Sequence, residues 1–423
     1  MNNYSLKFTN KNILAIIFIF ALSFRLLAII YVGNYINPPM AEFGIIARNI
    51  ISGQGFSFLI HRGILLPSAA MPPGYIVFLS GVFWLFGDNT TAYILIQIIQ
   101  ALLGSLICVL IYKIAEVCLS TKVAFVSSLI ASIYPSFIYS CTQISSFIFY
   151  CFINVFLFYL LIKFLKHKNN TILMGLGGTL GLLCLFRAEM LLYIPFLIGW
   201  IFFNLEKDRI KKTLLLIVSF FIVMMPWTVR NYVIFHKIIP TSTLLGYNLW
   251  RGHNPNATGG AECGEFPPQI IDKSNRLKPD NYFEINNDNL FLNAAIKFMK
   301  DNPGKDLLLG IKKFIIFWTY DQTYTPKIAQ KSVGAAHILY LIPWFIVLVF
   351  FIIGLFVNNI DRRIMMLFYI YFILSSLLGM AFFILPRYRM VIEPFVIIIA
   401  AQGIIFFYER YINNFLGKYQ EGL

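Results

Sequence analysis

Long apolar runs punctuated by short basic stretches form the main pattern of this chain. Runs at about 13–34, 91–113, 122–140, 144–166, 171–186, 188–204, 211–234, 335–357, 362–385 and 391–411 read as membrane-spanning helices. A further stretch, Pro73–Gly87, has about 15 residues. At 1.5 Å per residue it is too short for a ~30 Å hydrocarbon core, so it predicts a juxtamembrane or re-entrant helix. The expected fold class is an all-α polytopic membrane protein, a bundle of about ten transmembrane helices.

Charge orients the bundle. With the N-terminus inside, the inner loops carry Lys113/Lys122, Lys163/Lys166/Lys168, Lys207/Arg209/Lys211/Lys212 and Arg362/Arg363, and the tail carries Arg410 and Lys418. That satisfies the positive-inside rule, and a full span at 73–87 would break it. Lys7 and Lys11 precede the first span with no small-residue cleavage site after it, which predicts a retained anchor. Two sizeable outer segments remain, about 35–90 and 235–334. The first holds amphipathic helices near 41–52 and 73–87, joined by Gly-, Pro- and Ser-containing turns. The second is polar and ends in an amphipathic stretch, about 305–319, whose Phe314, Phe317 and Trp318 are expected at the lipid interface. The chain thus divides into an N-terminal membrane module (1–234), an outer loop region (235–334) and C-terminal helices (335–423).

Composition narrows the class further. The chain is 59% hydrophobic and 13% charged, with 43 Phe and 23 Tyr, and its mean hydropathy is +0.74. Those values exclude a soluble domain and suit a lipid-facing bundle with interfacial aromatics. The net charge of +15 lies largely in loops between spans, where it orients the protein and gives no reason to expect nucleic acid. The six cysteines (Cys108, Cys118, Cys141, Cys151, Cys184 and Cys263) show no paired metal spacing and imply no disulfide framework. No metal or other cofactor is expected.

Candidate chemistry gathers on the outer face. Glu42 is the only carboxylate before Asp88, and a helix opening near Pro39 puts it in the first turn, where the dipole favours an ionised acid. It is either a solvated helix-end acid or a group that moves a proton. Arg48 lies further along the same helix, and His61, a solvated loop residue on the simplest reading, precedes the turn 66–75. That turn carries Pro72-Pro73-Gly74-Tyr75, a rigid entry to the next helix. Arg187 lies between two apolar spans, where a charge is costly and functional by default, or snorkels to the head groups. Arg230 follows Pro226-Trp227 at an interface, where Trp, Tyr and Arg are standard anchors and that reading is the stronger one. The loop Gly246–Asn256 packs Asn248, Arg251, His253 and Asn254 among aromatics, a set suited to sugars or phosphates. Arg387 and Arg389 flank Tyr388 at another outer edge. Guanidinium matches phosphate oxygens bidentately, so this pair reads as a clamp for a lipid phosphate.

In this order the blocks resemble the bacterial relatives of dolichyl-phosphate-mannose–protein mannosyltransferases, within the GT-C superfamily that also holds the lipid A aminoarabinose transferases. They are Glu42–Asn49 with Gly53-Gln54-Gly55-Phe56, Pro67–Tyr75 running to Gly87, Pro226–Asn231, Asn248–Pro255, and Arg387–Arg389 with Glu393-Pro394. The resemblance implies a GT-C-like bundle with juxtamembrane helices in the first outer loop. It implies inverting transfer of one sugar from a polyprenyl-phosphate carrier to a hydroxyl of a glycolipid, lipopolysaccharide or protein, at the outer face of a bacterial inner membrane. Glu42 would be the base, and Arg387 and Arg389, with Arg187 or Arg230, would hold the donor phosphate. Arg48, His61, Tyr75, Asn248, Arg251, His253 and Asn254 would line the substrate site. Many members carry Asp, often Asp-Glu, where this chain has Pro38-Pro39-Met40-Ala41 and only Glu42. That departure speaks against a metal-dependent mechanism. A transporter or flippase of lipid-linked sugars would instead need polar groups along a path through the bundle, whose centres are nearly charge-free apart from Arg25. An O-antigen ligase or polymerase would share the donor chemistry.

Overall fold

The computed structural model describes residues 10–260, 264–319 and 333–413; Lys7, Cys263 and Lys418 lie outside them. The N-terminal part runs α1 (Asn10–Val32), α2 (Ala41–Ile51), the hairpin β1 (Ser57–His61) and β2 (Ile64–Pro67), and α3 (Pro73–Phe86). Then come α4 (Thr90–Cys118), α5 (Thr121–Ile133), α6 (Pro135–Cys141), α7 (Phe147–His167) and α8 (Asn170–Phe186). A 3-10 turn, Ala188–Tyr193, leads into α9 (Ile194–Asn204), and α10 spans Arg209–Phe235. The outer region holds α11 (Leu245–Gly252), α12 (Pro268–Arg276), α13 (Phe283–Asp301) and α14 (Pro303–Trp318). It is followed by α15 (Val333–Val357), α16 (Arg362–Ala381), a 3-10 connection at Pro386–Val391 and α17 (Glu393–Phe407).

Seven of the described helices are long and apolar enough to cross a membrane: α1, α4, α7, α10, α15, α16 and α17 with its continuation. The expected continuous span at 122–140 is broken into α5 and α6, bent by 50°, and the pair counts as an eighth span. Pro135 supplies the reason: it has no N–H for the carbonyl of Ala131, four residues back. The expected spans at 171–186 and 188–204 form helices shorter than the rest, separated by extended backbone at Arg187.

Arg25 of α1 fills the break. It is fully buried. Its guanidinium donates to Ala21 O at 2.8 Å, Ser132 O at 3.2 Å, Ala131 O at 3.4 Å and Cys108 Sγ at 3.4 Å. A cation at the C-terminal end of α5 meets the negative end of the helix dipole and the carbonyls that Pro135 releases. Elsewhere small residues let backbones touch. A Cβ on Gly354 of α15 would stand 2.1 Å from Ile399 O, and one on Gly403 of α17 would stand 2.1 Å from Phe350 O.

The hairpin is not legible in the apolar pattern. It turns through Arg62 (φ +51°) and Gly63 (φ +78°), two positive-φ residues of the kind a two-residue hairpin loop needs. The amphipathic stretch near 305–319 forms α14, yet its exposed side differs in part from expectation. Phe317 is buried, and Trp318 packs on Phe351 and Phe372 of the bundle at 6.2 and 6.4 Å between ring centres. Of the three expected residues only Phe314 is exposed, in one stripe at helical spacing with Leu307, Leu308, Ile311 and Ile315.

Candidate active site

Glu42 stands in the first turn of α2, half-buried, with no hydrogen bond or ion pair among the described residues. Its neighbour Ala41 has φ +43°, in the left-handed region, a strained geometry that surrounding contacts must hold. A row of rings leads away from it. Phe43 meets Tyr75 edge-on at 5.6 Å, Tyr75 meets Phe149 at 5.4 Å, and Phe149 stacks on Phe186 at 5.8 Å. Tyr75 is buried and donates to Gln100 Oε1 at 3.0 Å, so the ring is held from α4. The Pro72-Pro73-Gly74 turn sets this row. A Cβ on Gly74 would fall 2.5 Å from the Phe186 ring and 2.9 Å from Leu185 O, so only glycine lets α3 start against the end of α8.

The next residue after Phe186 is Arg187, and here three cations gather. The Arg187 guanidinium lies 5.1 Å from the Phe147 ring centre, 5.5 Å from Tyr150 and 5.3 Å from Tyr388. It is paired with Glu189 at 2.6 Å. Arg387 is exposed, sits 4.9 Å over the same Phe147 ring, and has no carboxylate partner among the described residues. Arg251 lies 3.7 Å over Phe383, whose ring is 5.8 Å from Tyr388. Burial pushes the Tyr388 phenol up, while Arg187, Arg387 and Arg251 all pull it back, so the three charges converge on this ring. Tyr388, Phe147 and Phe383 were not singled out as site residues from sequence. Their only signal was the position of two of them beside arginines or polar turns.

The other expected residues stand elsewhere. Arg389 is not beside Arg387 in the site. It is buried against Glu393 at 3.0 Å, lies 3.8 Å over Trp344, and donates to Phe317 O at 3.2 Å and Thr319 O at 2.6 Å. On a 3-10 turn, with three residues per turn, positions two apart project to different sides, so one arginine points out and the other in. Arg230 donates to Ser68 O at 2.7 Å and Phe56 O at 2.9 Å, clasping the first outer loop. Arg48 pairs with Asp88 at 2.5 Å, and Tyr93 joins them at 2.6 Å. His61 stacks on Phe283 at 4.1 Å and reaches Leu277 O at 3.0 Å, docking the hairpin onto the second outer region. Asn254 is buried in its own turn, donating to Trp250 O at 2.9 Å and accepting from Asn256 N at 2.8 Å. Asn248 is half-buried on α11, and its side chain has no hydrogen bond among the described residues. His253 lies at the end of α11 in a charged network with Asp306 and Lys313.

Glu284 was missed altogether. Buried in α13, it accepts from Ser68 Oγ at 2.5 Å, Ala69 N at 2.8 Å and Thr243 Oγ1. Burial raises its pKa, and these hydrogen bonds and Arg230 only partly offset that. It ties the second outer region to the turn that launches α3. No group of three or more His, Cys, Asp or Glu able to hold a metal occurs among the described residues.

Comparison with known proteins bears on the fold. The oligosaccharyltransferase AglB of Archaeoglobus fulgidus, solved with an inhibitory peptide and a dolichol-phosphate, matches 96% of this chain at 13% identity and a TM-score of 0.51. The apo form of an oligosaccharyltransferase from the same organism matches 98% at 11% identity and a TM-score of 0.54. The chain covers 51% and 52% of those structures, about half their length. ArnT from Cupriavidus metallidurans, bound to undecaprenyl phosphate, matches at 11% identity, 93% of this chain and 77% of its own, with a TM-score of 0.40. No curated protein matches. The fold is the helical one these oligosaccharyltransferases share. Residues 70–229 match the model of the dolichyl-phosphate-mannose-protein mannosyltransferase family, so the resemblance read from the ordered blocks is borne out there.

Proposed function

We propose that this chain is a membrane glycosyltransferase of the GT-C type that moves one hexosyl or pentosyl unit from a polyprenyl-phosphate carrier to a hydroxyl acceptor, with inversion. The observation that carries the reading is the pairing of two features. Glu42 is an unpartnered, half-buried carboxylate, and one aromatic row links its helix to the end of α8, beside Arg187 and the exposed Arg387. The donor's tail stays in lipid while its phosphate meets Arg387, with Arg187 and Arg251 near by. Glu42 takes the acceptor's proton as the oxygen attacks the anomeric carbon, and the carrier phosphate leaves with the bonding pair. Because the leaving group is already an anion, arginines that stabilise it replace a general acid. AglB, which shares the fold, was solved with a dolichol-phosphate, which supports a lipid-phosphate donor. Glu42 has no second acid near it in sequence, and Asp88 is held by Arg48 and Tyr93, so we propose that no metal is needed. The orientation of the inner-loop lysines supports an active site on the outer face of a bacterial inner membrane.

The test is a membrane assay with radiolabelled polyprenyl-phosphate sugars. Glu42→Gln is expected to lose about 10²-fold or more in transfer, the range for removing a general base, with unchanged folding. Transfer at the wild-type rate by a folded Glu42→Gln protein ends the base assignment. If neither protein consumes carrier-linked sugar, a transporter or flippase becomes the better reading.

A further inference from the structure

One cluster of buried ionisable groups lies outside the chemistry above. His253, at the end of α11, is 5% exposed, and Lys313 of α14 is fully buried. His253 Nδ1 meets Asp306 Oδ1 at 2.5 Å. Its Nε2 faces two groups at once, Ala381 O at 2.9 Å and Lys313 Nζ at 3.1 Å. Lys313 Nζ also donates to Met380 O at 3.1 Å. Met380 and Ala381 are the last residues of α16, and the chain after them carries Phe383, Arg387 and Tyr388. Two further ties join the same segments: Ile384 N donates to Gly259 O at 3.1 Å, and Arg251 lies 3.7 Å over Phe383. A Cβ on Gly252 would fall 2.9 Å from Lys313 Nζ and 2.8 Å from the Phe382 carbonyl carbon, so the contact is as close as backbone allows.

We propose that Asp306, His253 and Lys313 are positioning residues, a proton-responsive latch that fixes the connection from α16 to α17 and thereby sets Arg387 for the donor phosphate. The role in donor binding rests on the function proposed above; the hold on the connection does not.

The chemistry follows from counting protons. His253 Nε2 has one site facing both a carbonyl, which needs a donor, and an amine. With Lys313 as ammonium, Nε2 must be bare to accept from it, and Ala381 O loses its donor. Loss of a proton from Lys313 leaves a neutral amine, whose hydrogen bonds to Nε2 and to Met380 O no longer carry a charge. The latch therefore holds the end of α16 through Lys313 to Met380 O, firmly as the ammonium and weakly as the amine. In both states Nδ1–H faces the Asp306 carboxylate. Burial lowers Lys313 to about 8, with Asp306 opposing, so its deprotonation falls within reach of ordinary pH. Other charged side chains near the latch include Arg251 on α11, Lys305 on α14, which donates to Pro255 O at 2.7 Å, and Lys312 on α14, whose Cδ would lie 3.8 Å from a Cβ on Gly259; residues 376–385 carry none.

The test uses the purified full chain in detergent. Amide hydrogen exchange of peptides covering 382–391 is measured from pH 6.5 to 9.5, as protection relative to the intrinsic rate. Binding of undecaprenyl phosphate is titrated in parallel, with thermal unfolding as the control for folding. Wild-type protection should fall several-fold as pH rises through about 8, Lys313→Met should flatten that profile, and His253→Gln and Asp306→Asn should shift it. Lys313→Met and His253→Gln should also weaken undecaprenyl phosphate binding several-fold. Wild-type-like pH profiles in folded Lys313→Met and His253→Gln overturn the latch. Flattened profiles combined with binding that Arg387→Ala does not change overturn the donor reading, and leave the latch as the element that holds the connection.

Discussion

A single turn separates the roles of two arginines that look alike in sequence. Arg387 is exposed over Phe147, whereas Arg389 is buried with Glu393. Their replacement should fail in opposite ways. Arg387→Ala should raise the donor KM by about tenfold with an unchanged melting temperature, the loss of one charge-assisted phosphate contact. Arg389→Ala leaves Glu393 buried and unpaired, which should cost about 3–5 kcal/mol of stability, read as a lowered detergent melting temperature. Glu284 makes a pH prediction of its own. Its folded pKa is raised, so the fold favours the neutral acid, and stability is lost as pH rises from the unfolded value through the folded one. Glu284→Gln is uncharged throughout and keeps acceptors for Ala69 N and Thr243, so the wild type should lose melting temperature relative to this variant as pH rises above about 4.5. The same residues show what sequence can hold. Glu42 was legible because no other acid competes with it before Asp88, and Arg187 because a charge inside an apolar run stands out. Glu284 was not, because one acid among many in a polar loop gives no sign that the chain will bury it.

At the scale of elements, the Pro72-Pro73-Gly74 turn does more than start a helix. Gly74 brings α3 onto Phe186 so closely that the aromatic row ends one residue short of Arg187. Gly74→Ala should therefore cost about 1–3 kcal/mol by overpacking. The shift should lower transfer as well as melting temperature, since it moves Tyr75 and Phe186 together. The periodicity of apolar runs located most helices to within a few residues, including α2, α3 and α14. It gave no sign of the β1–β2 hairpin, whose two strands are shorter than any amphipathic window. It also missed the break at Pro135, because the residues on both sides remain apolar. Which side of α14 meets lipid was likewise outside its reach: Phe317 and Trp318 are bulky enough for either environment, and tertiary packing decides.

Across the whole molecule, two outer regions are laced together before either reaches the membrane helices. His61 docks on α12–α13 residues, Glu284 and Arg230 grip the 66–70 turn, and His253 and Lys313 grip the end of α16. The candidate site thus draws on segments more than 300 residues apart, with Glu42 near one end of the chain and Arg387 near the other. The broken span adds a demand of another kind, on biosynthesis. Arg25 leaves the ribosome about 100 residues before the Ala131 and Ser132 carbonyls that satisfy it. Until then α1 must carry a bare guanidinium, at an insertion cost of about 2.5–3.5 kcal/mol if it reaches the bilayer centre. Release of the first helix into lipid should wait for the fourth and fifth. In a cell-free system with membranes, a chain ending at Ile51 should be extracted by alkali more readily than its Arg25→Leu counterpart, and one ending at Cys141 should resist extraction with Arg25 in place.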